Sequence, residues 1–463
     1  MSRMLGRWSV LAVLLLGGTA VGSPAAWGQA PPGGADTLTA AAAVRQALAA
    51  APRVRAAQQQ KQAADATVRA ARSAWFPVLE GQAQYRRLSD NVDYTVDLPS
   101  IPGAGSERVT FAPAILNRYS ARARLRQPLF TGLRVPNRVE AAQAERRAAS
   151  AEVRGREQAV AYETRTAYWT LYEARARRAA AATSLRQIEQ RLADVRNRRA
   201  AGTATEADVL RVQARRDRVR LAQVQARNAV RSARRTLNDR LGRPLDRPVV
   251  IADSVRLRPV PGPDTTLVAQ ARRQRPDLEA LRQTVRARDA ELGVARAEWF
   301  PEVALTGAYL YARPNEQLFP PEDRFEGSWQ AGVTLSWQLS LGGRTDAATD
   351  RAQARRQAAR YELQDRRRAA TLAVRSERQN VAQARTAVEA ARTSVRSARA
   401  AYRSVRSRYE EGMAVVADLL DAERALREAR TALAGAEADY ARARAALDRA
   451  LGRRPWTDAG GPR

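Results

Sequence analysis

Few side chains in this sequence are equipped for acid, base or metal chemistry. The chain has no histidine and no cysteine, which removes the usual zinc ligands, the commonest general base and the thiolate nucleophile. What remains is a set of carboxylates and guanidinium groups at particular spacings. Asp418 and Asp421 stand three residues apart just beyond Gly412, and Asp208 lies beyond Gly202 as Asp418 lies beyond Gly412. Carboxylates so placed fall in the first turn of a helix, where they face free amide groups and the positive end of the dipole. Arg122, Arg124 and Arg126 alternate with Ala121, Ala123 and Leu125, which puts three guanidinium groups on one face of an extended strand. That face cannot enter lipid without a large penalty, so it should line water. No nucleophile, base and oxyanion donor come together in the sequence. We expect no catalytic residue, no cofactor and no metal site, and read the chain as not an enzyme.

The elements that position these residues begin with Tyr402 to Leu451. Leu419, Ala422, Leu426, Ala429, Leu433, Ala436, Tyr440, Ala443, Leu447 and Ala450 alternate steps of three and four, the seam of a coiled coil. Before it, Tyr409-Glu410-Glu411-Gly412 ends the preceding helix, Gly412 being the residue most able to take the left-handed conformation of a helix stop. The stretch is a copy of one 210 residues upstream, because Gly202, Asp208 and Leu241-Gly242 match Gly412, Asp418 and Leu451-Gly452. A second pair of copies is Trp75-Phe76-Pro77 and Trp299-Phe300-Pro301, each preceded at the same distance by Pro52 or Pro276. One unit has been duplicated.

After each Trp-Phe-Pro the period changes from about 3.6 to 2. Val303, Leu305, Gly307, Tyr309 and Tyr311 alternate with smaller or polar residues, as do Trp329, Ala331, Val333, Leu335 and Trp337. Runs of about ten residues with this alternation have the length and pattern of transmembrane β-strands. Two strand pairs would leave an open sheet with edges that a bilayer cannot satisfy, so closure requires an oligomer. Long helices rich in Ala and Arg then follow, and these must pack laterally.

The amino end carries Arg3 and Arg7, an apolar run from Val10 to Val21 and the small residues around Ala26-Trp27-Gly28, the features of a cleaved secretory signal over residues 1–28. The net charge is +31, and Lys61 is the only lysine. Such a balance permits nucleic acid as a partner, but the arginines are spread along helices as solvated faces, and none is expected. The organisation predicted is a flexible tether over 29–38, repeat 1 over 39–241, a Pro-rich linker over 242–275 lying outside the helical wall, repeat 2 over 276–452 and a carboxyl tail over 453–463. Strands are expected at about 78–88, 118–130, 302–311 and 328–341, and tip turns at about 199–208 and 409–418. The fold class is mainly α with a small β part, built as a duplicated unit of helix, strand pair, long helix and returning helix.

In this order of elements, and in the turn segment Tyr409 to Ala422, the chain resembles the outer-membrane efflux proteins of the TolC type over about residues 38–452. The resemblance implies a homotrimer whose twelve strands form one transmembrane β-barrel in the bacterial outer membrane, against lipid, continued by an α-helical barrel through the periplasm. It implies a passive exit duct of a tripartite efflux or type I secretion system, opened at its tip by a periplasmic adaptor protein that links it to an inner-membrane pump. By position, Gly202, Gly412 and Met413 would meet the adaptor; Asp208, Tyr409, Asp418 and Asp421 would form the entrance constriction; Arg122, Arg124 and Arg126 would face the barrel lumen. Two positions depart from the pattern: Ala414 stands where the family has a basic residue, and Arg211 is the first-repeat counterpart of Asp421. A secreted coiled-coil structural or interaction protein without a pore is the alternative reading.

Overall fold

The computed structural model describes residues 37–90, 94–97, 108–112, 115–319 and 321–456. The expected signal over 1–28, residues 29–36 of the tether and residues 457–463 of the tail lie outside them. In chain order, the first half comprises β1 (Thr37–Leu38), α1 (Ala40–Ala50), α2 (Pro52–Ser73), β2 (Val78–Arg87), β3 (Tyr94–Asp97), β4 (Arg108–Ala112), β5 (Asn117–Phe130), α3 (Arg134–Ala200) and α4 (Glu206–Arg240). The second comprises β6 (Val250–Ile251), α5 (Asp264–Gln274), α6 (Pro276–Arg296), β7 (Glu302–Arg313), β8 (Glu326–Ser336), α7 (Arg344–Glu410) and α8 (Val416–Ala450). The long helices α3 and α7 have 67 residues each and the returning helices α4 and α8 have 35 each, so the long ones extend about 100 Å. Among the described residues no helix is long and apolar enough to cross a membrane.

Several boundaries differ from the sequence-based expectation. Pro52 opens a new helix, so α1 and α2 are separate and the break falls at Ala51. The linker expected over 242–275 contains α5, whose 11 residues match the 11 of α1; repeat 2 therefore starts earlier than residue 276. Pro259, Pro261 and Pro263 conceal it in the sequence, although Pro263 only precedes the helix, and Leu267, Val268 and Ala271 are buried at helical spacing. The tether is shorter than expected, because β1 pairs in parallel with β6 through Thr37↔Val250 and Leu38↔Ile251. The tail starts against the helices: the Arg453 side chain donates to Gln270 at 2.9 Å, and Arg454 pairs with Glu157 at 3.1 Å. The loop expected after the first strand contains the β3–β4 hairpin, and β8 ends at Ser336 rather than near 341.

The main sheet has the order β2-β5-β7-β8, antiparallel throughout. Its register sorts the side chains onto two faces. Leu79, Leu125, Leu305 and Val333 share one face with the rings of Tyr85, Tyr119, Tyr309 and Trp329, all exposed. The opposite face carries Glu80, Gln82 and Gln84 of β2, Arg122, Arg124 and Arg126 of β5, Thr306 of β7 and Gln330 and Thr334 of β8. A second aromatic group, Trp75, Phe76, Trp299, Phe300 and Trp337, is exposed where strands meet helices. Strands β2 and β8 each leave one edge unpaired among the described residues.

The helices pack by heptads. Val374, Val381 and Val388 of α7, seven residues apart, are buried in one cluster with Tyr440 and Leu447 of α8, which are also seven apart. At mid-height, fully buried Tyr168 of α3 holds the two short strands: its hydroxyl donates to the Leu38 carbonyl at 2.9 Å and accepts from the Asp253 amide at 3.3 Å. Burial pushes this phenol's pKa up. Asp253 in turn accepts from the Ala40 amide at 2.6 Å. Tyr440 of α8 does similar work, its hydroxyl exchanging bonds of 2.8 Å with the Arg258 amide and carbonyl. Tyr168→Phe leaves the Leu38 carbonyl and Asp253 amide without this partner, so it should lower stability by about 1–2 kcal/mol. Thermal unfolding of the detergent-solubilised chain checks this; an unchanged midpoint would contradict it.

Candidate functional site

The two long helices end in the same stop. The Gly412 amide donates to the Tyr409 carbonyl at 3.1 Å and the Met413 amide to the Arg408 carbonyl at 2.7 Å; Gly202 to Arg199 at 2.9 Å and Thr203 to Arg198 at 2.8 Å repeat the pattern. Both glycines have positive φ, +75° at Gly202 and +79° at Gly412, and both stand in open space, so it is backbone conformation rather than crowding that calls for glycine. Met413 and Val415 beside the second turn are exposed apolar side chains, as is Leu210 beyond the first.

The carboxylates beyond the two turns are not equivalent. Thr205 caps α4, accepting from the Asp208 amide at 3.2 Å, while Asp208 accepts from the Thr205 amide at 3.2 Å and hydroxyl at 2.7 Å, a closed capping box. These bonds to Thr205, helped by Arg211 at 3.2 Å, hold the Asp208 carboxyl below the usual range. Val415, which precedes α8, has no hydroxyl to offer. Asp418 and Asp421 are exposed, and no hydrogen bond or ion pair engages either among the described residues. Three residues apart, they share one side of the helix.

Tyr409 is buried, in a cluster with Ile188, Leu192 and Val195 of α3, Val209 and Val212 of α4, and Leu419 of α8. The Arg191 guanidinium lies 5.2 Å and that of Arg198 4.8 Å from its ring centroid, within cation–π range. Arg191 also pairs with Glu423 of α8 at 3.7 Å and with Asp194 at 3.7 Å. Sequence reasoning did not single out Arg191, Arg198 or Glu423. Glu423 follows the small seam residue Ala422, and in helices so rich in Arg and Glu nothing marks which flanking charge will be covered. Burial pushes the Glu423 carboxyl up, outweighing Arg191 and Arg215, which lower it.

On the sheet, Arg126 is 3.5 Å from Glu302, which Arg134 also pairs, and Arg118 pairs with Glu316 of the β7–β8 loop. Arg122 and Arg124 are exposed and have no bonding partner among the described residues. The structure thus holds the predicted positions in two places far apart along the helices: Gly202, Asp208, Tyr409, Gly412, Met413, Asp418 and Asp421 at the tip, and Arg122, Arg124 and Arg126 on the strands.

Residues 43–243 and 267–453 match the family described as outer membrane efflux protein. The chain belongs to that family. The second matched segment begins at residue 267, within α5. Among curated relatives, the alkaline protease secretion protein AprF of Pseudomonas aeruginosa is 27% identical over 252 residues, 53% of this chain and 51% of AprF; the match thus spans about half the length of that relative. A solved membrane protein from Pseudomonas aeruginosa superposes with a TM-score of 0.71 at 26% identity, covering 89% of this chain and 92% of that one. The outer-membrane channel OprN superposes with a TM-score of 0.72 at 24% identity over 89% of each chain. Membership of this family places the protein in the outer membrane, among channels rather than enzymes.

The raised Glu423 carboxyl makes stability pH-dependent with a defined sign. Its protonated form is favoured in the fold, so its contribution is fully present below the unfolded-state value of about 4.3 and is lost as pH rises through the raised native value. Glu423→Gln removes this slope. From about pH 4 upward the unfolding midpoint of the wild type should fall relative to that of the variant; a constant difference across the range would contradict the assignment.

Proposed function

We propose that the chain is a passive exit duct of the outer membrane, serving a tripartite efflux or type I secretion system. The observation that carries this reading is the sheet: one face is apolar with aromatic bands at both ends, the other is lined by arginines and amides, and both outer edges are unpaired among the described residues. Such a sheet suits a bilayer only when further copies pair its edges. Three copies would give twelve strands, with the apolar face against lipid and Arg122, Arg124 and Arg126 lining the lumen. The long helices would then form the periplasmic barrel, ending at the turns of Gly202 and Gly412. Those turns, with Met413 exposed between them and α8, are the proposed contacts for an adaptor protein coupled to an inner-membrane pump. Asp418 and Asp421, with Asp208 and Tyr409, form the proposed constriction, which opens when the helix pairs behind the turns move outward. The likeness to AprF, named for protease secretion, supports a polypeptide as one class of cargo.

The experiment is planar-bilayer conductance of the purified chain. Discrete channel currents are expected, with block by divalent cations that weakens roughly tenfold or more in the Asp418→Ala/Asp421→Ala double variant, because the six carboxylates of a trimer would concentrate cations at the constriction. An opened variant should prefer anions, owing to Arg122 and Arg124, and lose that preference when both are replaced by Gln. Absence of discrete currents would contradict the duct. Unchanged block would remove the acid ring, and strong cation preference in the opened variant would remove the basic lumen.

A further inference from the structure

We propose that a basic cleft between α5 and α7 binds acidic peptide, and that the bacterial cell wall supplies it, its peptide carboxylates being held by Arg272, Arg273 and Arg375. The proposal rests on the duct reading above, which puts the helices in the periplasm. The cleft has a volume of about 500 Å³ and is lined by these three arginines together with Thr265, Val268 and Ala269. Arg272 and Arg273 come from the last turn of α5 and Arg375 from within α7. All three are exposed, and none has an acid partner among the described residues. Acids of the surrounding segments are engaged elsewhere: Asp264 by Arg378, Asp277 by Arg275 at 2.7 Å and Arg366 at 2.8 Å, and Glu279 by Arg282 at 2.7 Å. Arg282 also donates to the Arg272 carbonyl, which ties the end of α5 to α6. Guanidinium groups gathered in one cleft repel one another, and a carboxylate both relieves that repulsion and offers each a bidentate partner.

A chain with a net charge of +31 places arginines in many surfaces, and the internal duplication separates this bias from a built site. Aligning α5 on α1 through Pro276 and Pro52 sets Thr265, Arg272 and Arg273 against Ala41, Leu48 and Ala49. Helix α1 has no basic residue in its last turn. Arg375 falls on Arg165, 210 residues upstream, and that arginine is paired with Asp448 at 2.8 Å. The first repeat therefore keeps the same helices without the free cations, so packing does not call for them.

Position and size narrow the ligand. Along α7, at 1.5 Å per residue, Arg375 lies about 45 Å from Arg344 at the strand end and about 50 Å from Glu410 at the turn. Lipid headgroups at the strand end cannot reach it, and it is clear of the tip turns. Three copies would set three such clefts around the duct at one height, which suits a layer that encircles it. The volume is that of a site for a molecule of drug size, more than one inorganic anion fills.

The test is co-sedimentation of the detergent-solubilised full chain with purified cell-wall sacculi. Wild type should sediment with them, and Arg272→Gln/Arg273→Gln/Arg375→Gln should weaken the apparent affinity about tenfold. A control of equal net charge, Arg351→Gln/Arg355→Gln/Arg399→Gln, removes three exposed arginines elsewhere on α7 and should bind as wild type does. Sacculi with amidated carboxylates should not retain the chain. Equal losses in the two triple variants, or undiminished binding to amidated sacculi, would overturn the proposal. So would displacement by inorganic phosphate beyond that caused by chloride of equal ionic strength, which would mark a site for a free anion, or tighter binding of a soluble Glu-rich peptide, which would mark one for an acidic protein. The mass of the cleft variant in detergent should equal that of wild type; a change would assign the arginines to a contact between copies and overturn the proposal as well. Melting confirms folding, and if the cleft variant does not fold, Arg273→Glu decides by the same loss of binding. Absence of discrete current from wild type removes the duct reading whatever the sacculi show, whereas currents without sacculus binding remove the cleft alone.

Discussion

A strand edge inside a bilayer exposes amide and carbonyl groups that nothing solvates. This chain makes a four-stranded sheet that ends in two such edges, β2 and β8, and most of its other features follow from that incompleteness. A soluble protein could cover an open edge with a helix or blunt it with charge. Here the helices instead run on from the strand ends, because proline follows the aromatic pair at Trp75-Phe76 and Trp299-Phe300 and turns helix into strand. The apolar face keeps its Tyr, Trp and Leu side chains uncovered, and among the described residues Arg122 and Arg124 of the arginine face have no bonding partner. Among the described residues, both faces and both edges of the sheet stay open within the single chain.

The helical half meets the same demand by different means. A helix satisfies its own backbone, so the long rods need only lateral packing, and heptads of Val on α7 against Leu and Tyr on α8 provide it. Tyrosines at mid-height, Tyr168 and Tyr440, pin the crossing segment that joins the repeats. At the tip an apolar cluster encloses cationic and carboxylate groups. A place where burial and charge are so mixed is less stable than a purely apolar seam and better suited to change shape.

Much of this was legible in the residues. The duplication, the glycine stops, the switch of period after Trp-Phe-Pro and the arginine face all depend on local chemistry, which sequence records directly. Thr205-Glu206-Ala207-Asp208 is a capping-box pattern and Val415 breaks it, so the different fates of Asp208 and Asp418 were open to reading as well. The features that escaped depend on distant partners. Thr37–Leu38 becomes a strand only because Val250–Ile251 lies beside it. Helix α5 hides behind prolines that merely precede it, and Arg191 and Glu423 are indistinguishable by type from the many exposed charges around them until the hairpins meet.

The central claim is that the sheet closes between copies. Its most direct test is the mass of the detergent-solubilised protein, measured with the detergent contribution subtracted. The account predicts a single species at three times the chain mass, in which β2 of one copy meets β8 of the next. A monomer or dimer that stays in solution without detergent would contradict it, because the open edges and the exposed aromatic face would then have to be covered within the chain itself.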